Sequence, residues 1–203
     1  MFSQFIDTKD VIEIVTICQV RVSIFGKCHG EEDFEVARKQ LKELAAKFEI
    51  YEQGESELDK VNAQAGIAPV KVSKITFELV KALDKYAKTS DGYYNPTVGV
   101  MTHLWHIGFS DAQIPSEELI KATLDKVNID DIVLDTKNQT VFLKKKGMVI
   151  EADGIGKGFI GEQLLKTLKA RGVTTAVVNL GGHAGAGGRK SSGRLFQSNP
   201  HLG

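Results

Sequence analysis

Glu151 and Asp153 precede a cluster of glycines, Gly154, Gly156 and Gly158, with Lys157 set among them. An apolar, strand-like run (Met148, Val149, Ile150) comes before this segment, and a helix-like run (Phe159 to Ala170) follows it. Glycines at a strand-to-helix turn let the backbone approach a ligand closely. Free amides at a helix start favour an anion, and Lys157 adds a point charge. The combination suits a phosphorylated ligand. It is not a Walker A loop, because the spacing differs and no Ser or Thr follows the lysine. The structural alternative is a turn that only redirects the chain.

Two other polar constellations stand out. In Tyr93-Tyr94-Asn95-Pro96-Thr97-Val98-Gly99 the aromatic rings could stack on a flat ligand, while Asn95 and Thr97 supply hydrogen bonds. The alternative is a packed turn set by Pro96 and Gly99. In Ser56-Glu-Leu-Asp-Lys-Val-Asn62 the polar residues could touch a ligand, or Ser56 could simply cap a helix. His103 and His106 would share one helix face, but no third ligand at zinc spacing accompanies them. No Ser-His-Asp arrangement suggests itself. The tract Gly185 to Gly188 lacks the strand-to-helix setting of a dinucleotide fingerprint.

The elements that must position these residues follow from periodicity. Val11 to Phe25 is rich in Val and Ile and reads as one or two strands. Phe34, Ala37, Leu41, Leu44, Ala45 and Phe48 recur at helical spacing, so Glu31 to Phe48 is a helix. Its opening Glu31, Glu32 and Asp33 suit the positive end of the dipole. Residues 54–66 read as loop with a short helix. A second helix is expected from Ser73 to Thr89, with Phe77, Val80, Leu83 and Tyr86 or Ala87 inward, and a third from Ser116 to Val127. Residues 90–109 read as an aromatic-rich irregular stretch. Ile132 to Leu134 and Thr140 to Leu143 form a hairpin signal, and Met148 to Ile150 a further strand. Gly172 caps the helix that ends at Arg171, and Val173 to Val178 reads as a buried strand. After Gly182 the composition becomes Gly-rich and repetitive, which predicts a disordered tail over 183–203.

Bulk properties restrict the function classes. The 203 residues are 42% hydrophobic and 26% charged, with 26 basic against 26 acidic side chains. This is ordinary globular composition, and the balance argues against a nucleic-acid grip. No run is long enough to span a membrane. The N-terminus shows no signal peptide, so a cytoplasmic protein is expected. Cys18 and Cys28 flank the strand expected at Val20 to Phe25, which would hold them about 30 Å apart, too far for a disulfide.

The order of the motifs is more specific than any one of them. Ser-Glu-Leu-x-x-Val-Asn62, then Ser-x-Gly-x-Tyr94-Asn95-Pro-Thr-Val-Gly with Leu-Trp105 soon after, then Gly-Ile-Gly-Lys157-Gly-Phe, then Val-Asn-Leu-Gly-Gly182 form a series. From Val11 to about Gly193 this series resembles the ApbE family, the FAD:protein FMN transferases. The resemblance implies an α+β fold of antiparallel sheets with flanking helices, related to the T-fold. It also implies binding of FAD and a magnesium ion, cleavage of the FAD pyrophosphate, transfer of FMN to a threonine of a target flavoprotein, and release of AMP. Some relatives hydrolyse FAD to FMN and AMP, and a non-catalytic FAD binder or an inactive remnant are the other readings.

Carried over by motif, Tyr93, Tyr94 and Asn95 would line the flavin site, with Asn95 in place of the family's aspartate. Glu151 stands for an FAD-binding aspartate, Lys157 for the FAD-binding lysine, and the Gly154 carbonyl for a magnesium ligand. Asp153 replaces a glycine. Asn62 would lie close to the ligand, and Tyr51 matches an aromatic that contacts the flavin. The family's early Met-Gly-Thr is absent near Thr16-Ile-Cys18. Members continue past the Asn-Leu-Gly-Gly motif, where further strands and an Asp and Thr complete the magnesium site. The expectation is therefore an incomplete transferase domain over 1–182, from a truncated or frameshifted product, with a homo-oligomer left open.

Overall fold

Val20, Val22 and Ile24 alternate with polar residues, and alternation at period two gives a strand one buried face. All three are buried in the computed structural model, which describes residues 9–15, 18–25, 28–50, 56–107 and 110–188. Tyr51 and residues 189–203 lie outside the described residues. The chain forms two compact units, Met1–Ala45 with Gly154–Gly203, and Ala46–Asp153.

In the first unit, β1 (Lys9–Val15), β2 (Cys18–Phe25), β6 (Thr175–Leu180) and β7 (His183–Gly187) form an antiparallel sheet in the order β1-β2-β6-β7. The sheet alternates inward on β6 as on β2, so Val22 and Val178 are register partners and both are buried. Against these faces pack Phe34, Ala37 and Leu41 of α1 (Glu31–Phe48), and Leu164 and Leu168 of α6 (Gly156–Ala170). Asp33, fully buried at the start of α1, accepts from Arg171 Nε at 2.6 Å and from the His29 amide at 2.7 Å. Arg171 also pairs with Glu32.

The second unit holds α2 (Glu57–Ala63), β3 (Val70–Lys71), α3 (Lys74–Thr89), α4 (Gly99–Trp105), α5 (Glu117–Thr123), β4 (Ile132–Asp135) and β5 (Thr140–Leu143). Its small antiparallel sheet runs β3-β5-β4. Leu58, Val61, Phe77, Val80, Leu83, Val141, Leu143, Met148 and Ile150 are its buried side chains. Ser56 caps α2 by accepting from the Asp59 amide, so the capping reading of that serine holds. On α3, Ala87 faces inward and Tyr86 is exposed.

Several expectations need correction. Residues 90–109 are not irregular throughout: α4 forms from Val100, Met101, Leu104 and Trp105, whose helical spacing is masked by the neighbouring Pro96 and Gly99. The third helix stops at Thr123 and tightens into a 3₁₀ turn at 124–126, with the Thr123 hydroxyl donating to the Leu119 carbonyl. Met148 to Ile150 forms no ladder, only one parallel bridge between Val98 and Val149. Helix α6 starts at Gly156, three residues before the expected Phe159, and β6 lies two residues later than expected. The Gly-rich tail begins as a strand, laddered to β6 over 183–187, and a Cβ at Gly185 would stand 3.3 Å from Leu165 Cδ1.

Candidate functional site

The second unit brings together motifs that are far apart in sequence. Val98 bridges Val149, and the Glu151 amide donates to the Pro96 carbonyl at 3.0 Å. The Tyr94-Asn95 turn and Glu151 thus share one short paired segment. Gly99 permits this closeness: a Cβ there would stand 2.8 Å from Val149 Cγ1 and 3.0 Å from the Val149 carbonyl.

Within the turn, Asn95 Oδ1 accepts from the Thr97 amide at 3.0 Å and from the Thr97 hydroxyl at 2.7 Å. An acceptor oxygen does this whether it belongs to an amide or a carboxylate, so Asn in place of Asp keeps the turn. Tyr94 is anchored through its amide to the Ser90 hydroxyl, and its own hydroxyl points at the Asp153 carbonyl at 3.5 Å. Burial pushes the Tyr94 phenol well above its usual range, and the negative Glu151 and Asp153 push it further. Tyr93, by contrast, is 97% exposed.

Asn62 lies at this segment, but its side chain is engaged by the protein itself. Asn62 Nδ2 donates to the Ile150 carbonyl at 3.0 Å, and Asn62 Oδ1 accepts from the Ile150 amide at 2.9 Å. One side-chain amide replaces the neighbouring strand that Ile150 would otherwise need. Asn62 therefore fixes the residue before Glu151.

Glu151 is 5% exposed. Burial raises its carboxyl above the usual range; a hydrogen bond from Thr102 opposes this, and Asp153 adds to it. The Thr102 hydroxyl lies 2.7 Å from Glu151 Oε2 and 3.0 Å from the Gly99 carbonyl. Sequence reasoning missed Thr102. Its only signal in the sequence is its place three residues after Gly99, about one helical turn along α4.

The first unit carries Gly154 and Lys157. Gly154 has φ of +85°, a conformation that glycine adopts without strain. Lys157 sits in the first turn of α6, and Ile155, the residue before that helix, makes no side-chain cap. The first amides of such a helix have no intrahelical partner and suit an anion.

His103 and His106 do lie on and just beyond α4, where His106 takes a left-handed conformation and meets Asp111 at 2.6 Å. Burial and the neighbouring His106 lower the His103 imidazole, partly opposed by Asp59. Among the described residues there is no group of three or more His, Cys, Asp or Glu side chains placed to hold a metal ion. Nor does any described helix have the length and apolarity to cross a membrane.

A family model described as the ApbE family matches residues 15–198. A Treponema pallidum protein named FAD:protein FMN transferase is 32% identical over 187 residues, covering 87% of this chain and 50% of that protein. A Klebsiella pneumoniae protein of the same name is 31% identical over 131 residues, covering 64% of this chain and 42% of its own length. The chain thus spans about half the length of these curated relatives. Among solved structures, the ApbE protein of Thermotoga maritima superposes with a TM-score of 0.83 at 25% identity, over 91% of this chain and 60% of that one. The flavin transferase ApbE of Vibrio cholerae gives 0.84 at 18% identity, over 94% and 62%, a likeness of fold.

Proposed function

The chain belongs to the ApbE family, and on that premise we propose that it is an FAD:protein FMN transferase, or the flavin-binding part of one. The observation that carries the reading is the pairing of the Tyr94-Asn95 turn with the Glu151 segment. Two motifs of the ordered series become neighbours there, and a buried carboxyl sits beside them. Tyr94 and Glu151 are assigned to the flavin nucleotide, with the exposed Tyr93 ring available for stacking. Lys157 and the first amides of α6 are assigned to phosphate oxygens. Asn62 and Asn95 act by holding backbone in place.

The reaction needs charge stabilisation on the pyrophosphate more than covalent help from the protein. The hydroxyl oxygen of the acceptor threonine would attack the FMN phosphorus. The bond from that phosphorus to the bridging oxygen breaks, AMP leaves with the electron pair on that oxygen, and the hydroxyl proton passes to solvent water. Lys157 would offset the charge that builds on the phosphate oxygens. Magnesium, which the family resemblance implies, would supply further charge neutralisation. The described residues do not fit such a site by themselves, since Gly154 offers one carbonyl oxygen and magnesium takes about six. The other donors would have to come from elsewhere.

The test is incubation of the chain with FAD and magnesium, with and without a threonine-bearing flavoprotein acceptor, following AMP by chromatography. AMP release together with covalent flavin on the acceptor is the expected result. FMN and AMP without covalent flavin would mark a pyrophosphatase instead, and FAD retained unchanged would mark a binder without turnover.

A further inference from the structure

We infer that Thr102 is a positioning residue of the flavin-nucleotide site, its hydroxyl fixing the Glu151 carboxyl against the start of α4. The inference rests on the reading of Glu151 as an FAD contact. Among the described residues Thr102 gives Glu151 its one side-chain hydrogen bond, at 2.7 Å, and no ion pair holds that carboxyl. A buried carboxyl with a single anchor takes its orientation from that anchor. The Thr102 hydroxyl has one proton and two neighbours, Glu151 Oε2 and the Gly99 carbonyl. When Glu151 is ionised the hydroxyl donates to it. When Glu151 is protonated the hydroxyl accepts from it and donates to Gly99. The carboxyl therefore keeps one place in both protonation states, which suits a group that must meet a ligand while its charge changes. Gly99 completes the device from the other side, since a Cβ there would come within 3.4 Å of Glu151 Oε2.

Thr102 is itself exposed on α4, so its replacement leaves the core intact. The experiment measures FAD affinity of the full chain by flavin fluorescence for wild type, Thr102→Val, Thr102→Ser, Glu151→Ala and the Thr102→Val, Glu151→Ala double variant. Thr102→Val keeps the shape and removes the hydroxyl; it is expected to weaken FAD binding about tenfold, the scale of one lost hydrogen bond to a charged group. Thr102→Ser should restore it. In the Glu151→Ala background the same Thr102→Val change should cost nothing, because the hydroxyl then has no carboxyl to place. An equal loss in both backgrounds, a Ser variant as weak as Val, or a Val variant as tight as wild type would overturn the inference while leaving the flavin reading intact. Wild type that fails to bind FAD would overturn the flavin reading itself, and this inference with it.

Discussion

Asn62 acts on the segment that leads into Glu151 through the backbone. Its amide satisfies both polar groups of Ile150, whose side chain is fully buried. Asn62→Ala leaves that amide and carbonyl without partners, so it should cost about 2 kcal/mol of stability. Lys60→Ala, on the exposed side of the same helix, should cost almost nothing by thermal denaturation. Equal losses would show that Asn62 matters only as a helix residue. Glu151 gives the opposite sign. Its folded-state pKa is raised, so its contribution is favourable below the unfolded value and is lost as pH rises through the folded one. Glu151→Gln should therefore melt higher than wild type at neutral pH, with the gap closing below about pH 4. A gap of constant size across that range would refute a buried, destabilised carboxylate. At this scale the sequence marks Tyr94, Asn95 and Glu151 as candidates because each belongs to a motif with its own residue types, and the structure pairs their segments. The structural duty of Asn62 was not, because an asparagine that touches a ligand and one that replaces a strand look alike in sequence.

Element α2 is tied to α3 by a single carboxylate. Glu57 accepts from Lys47 Nζ at 2.7 Å, and from the Ser73 amide and hydroxyl at 2.8 Å each. This explains why Ser73 precedes α3 without capping it through its own side chain. Burial alone would raise the Glu57 carboxyl. The bonds from Lys47, Thr76 and Ser73 outweigh it and hold the carboxyl down at about 2, from an ordinary 4.5. A depressed pKa means stability that is present above the unfolded value and is lost as pH falls towards the folded one. The stability of wild type should thus decline between 4.5 and about 2, and Glu57→Gln should be less stable at neutral pH and converge with wild type at the acid end. Parallel acid curves would remove Glu57 as the link. Helices α1 and α3 were legible because their apolar residues keep helical spacing without interruption. Helix α4 and strand β7 were not. Pro96 and Gly99 disguise the start of α4, and β7 owes its place to β6 and to Leu165, contacts that no local pattern of Ala and Gly announces.

At the scale of the whole molecule each compact unit carries its own core. The cluster around Val22, Phe34, Leu164 and Val178 belongs wholly to the first unit, and the buried set around Leu83, Val141 and Ile150 to the second. The first unit is also discontinuous in sequence, so its two segments need a link that chain connectivity does not supply. The β2–β6 ladder and the shared core supply most of it, and Asp33 with Arg171 adds an ion pair joining the start of α1 to the residue after α6. Burial would raise the Asp33 carboxyl, but the bonds from Arg171 and His29 hold it below its usual range. Removing one member of such a pair costs more than the pair contributes, because the other charge is left buried and alone. Arg171→Ala should therefore lower the melting temperature, because the buried Asp33 carboxylate loses its partner. Adding Asp33→Asn should recover part of that loss, since a neutral amide is far less costly to bury than a lone carboxylate. Hydrogen exchange locates the lesion. In Arg171→Ala the amides of β2 and β6 should exchange faster, while those of β5 keep most of their protection, because the core of the second unit has lost nothing. Uniform acceleration through both units would mean that they unfold as one cooperative body. A double variant no better than Arg171→Ala would mean that the arginine acts through its packing and not through its charge.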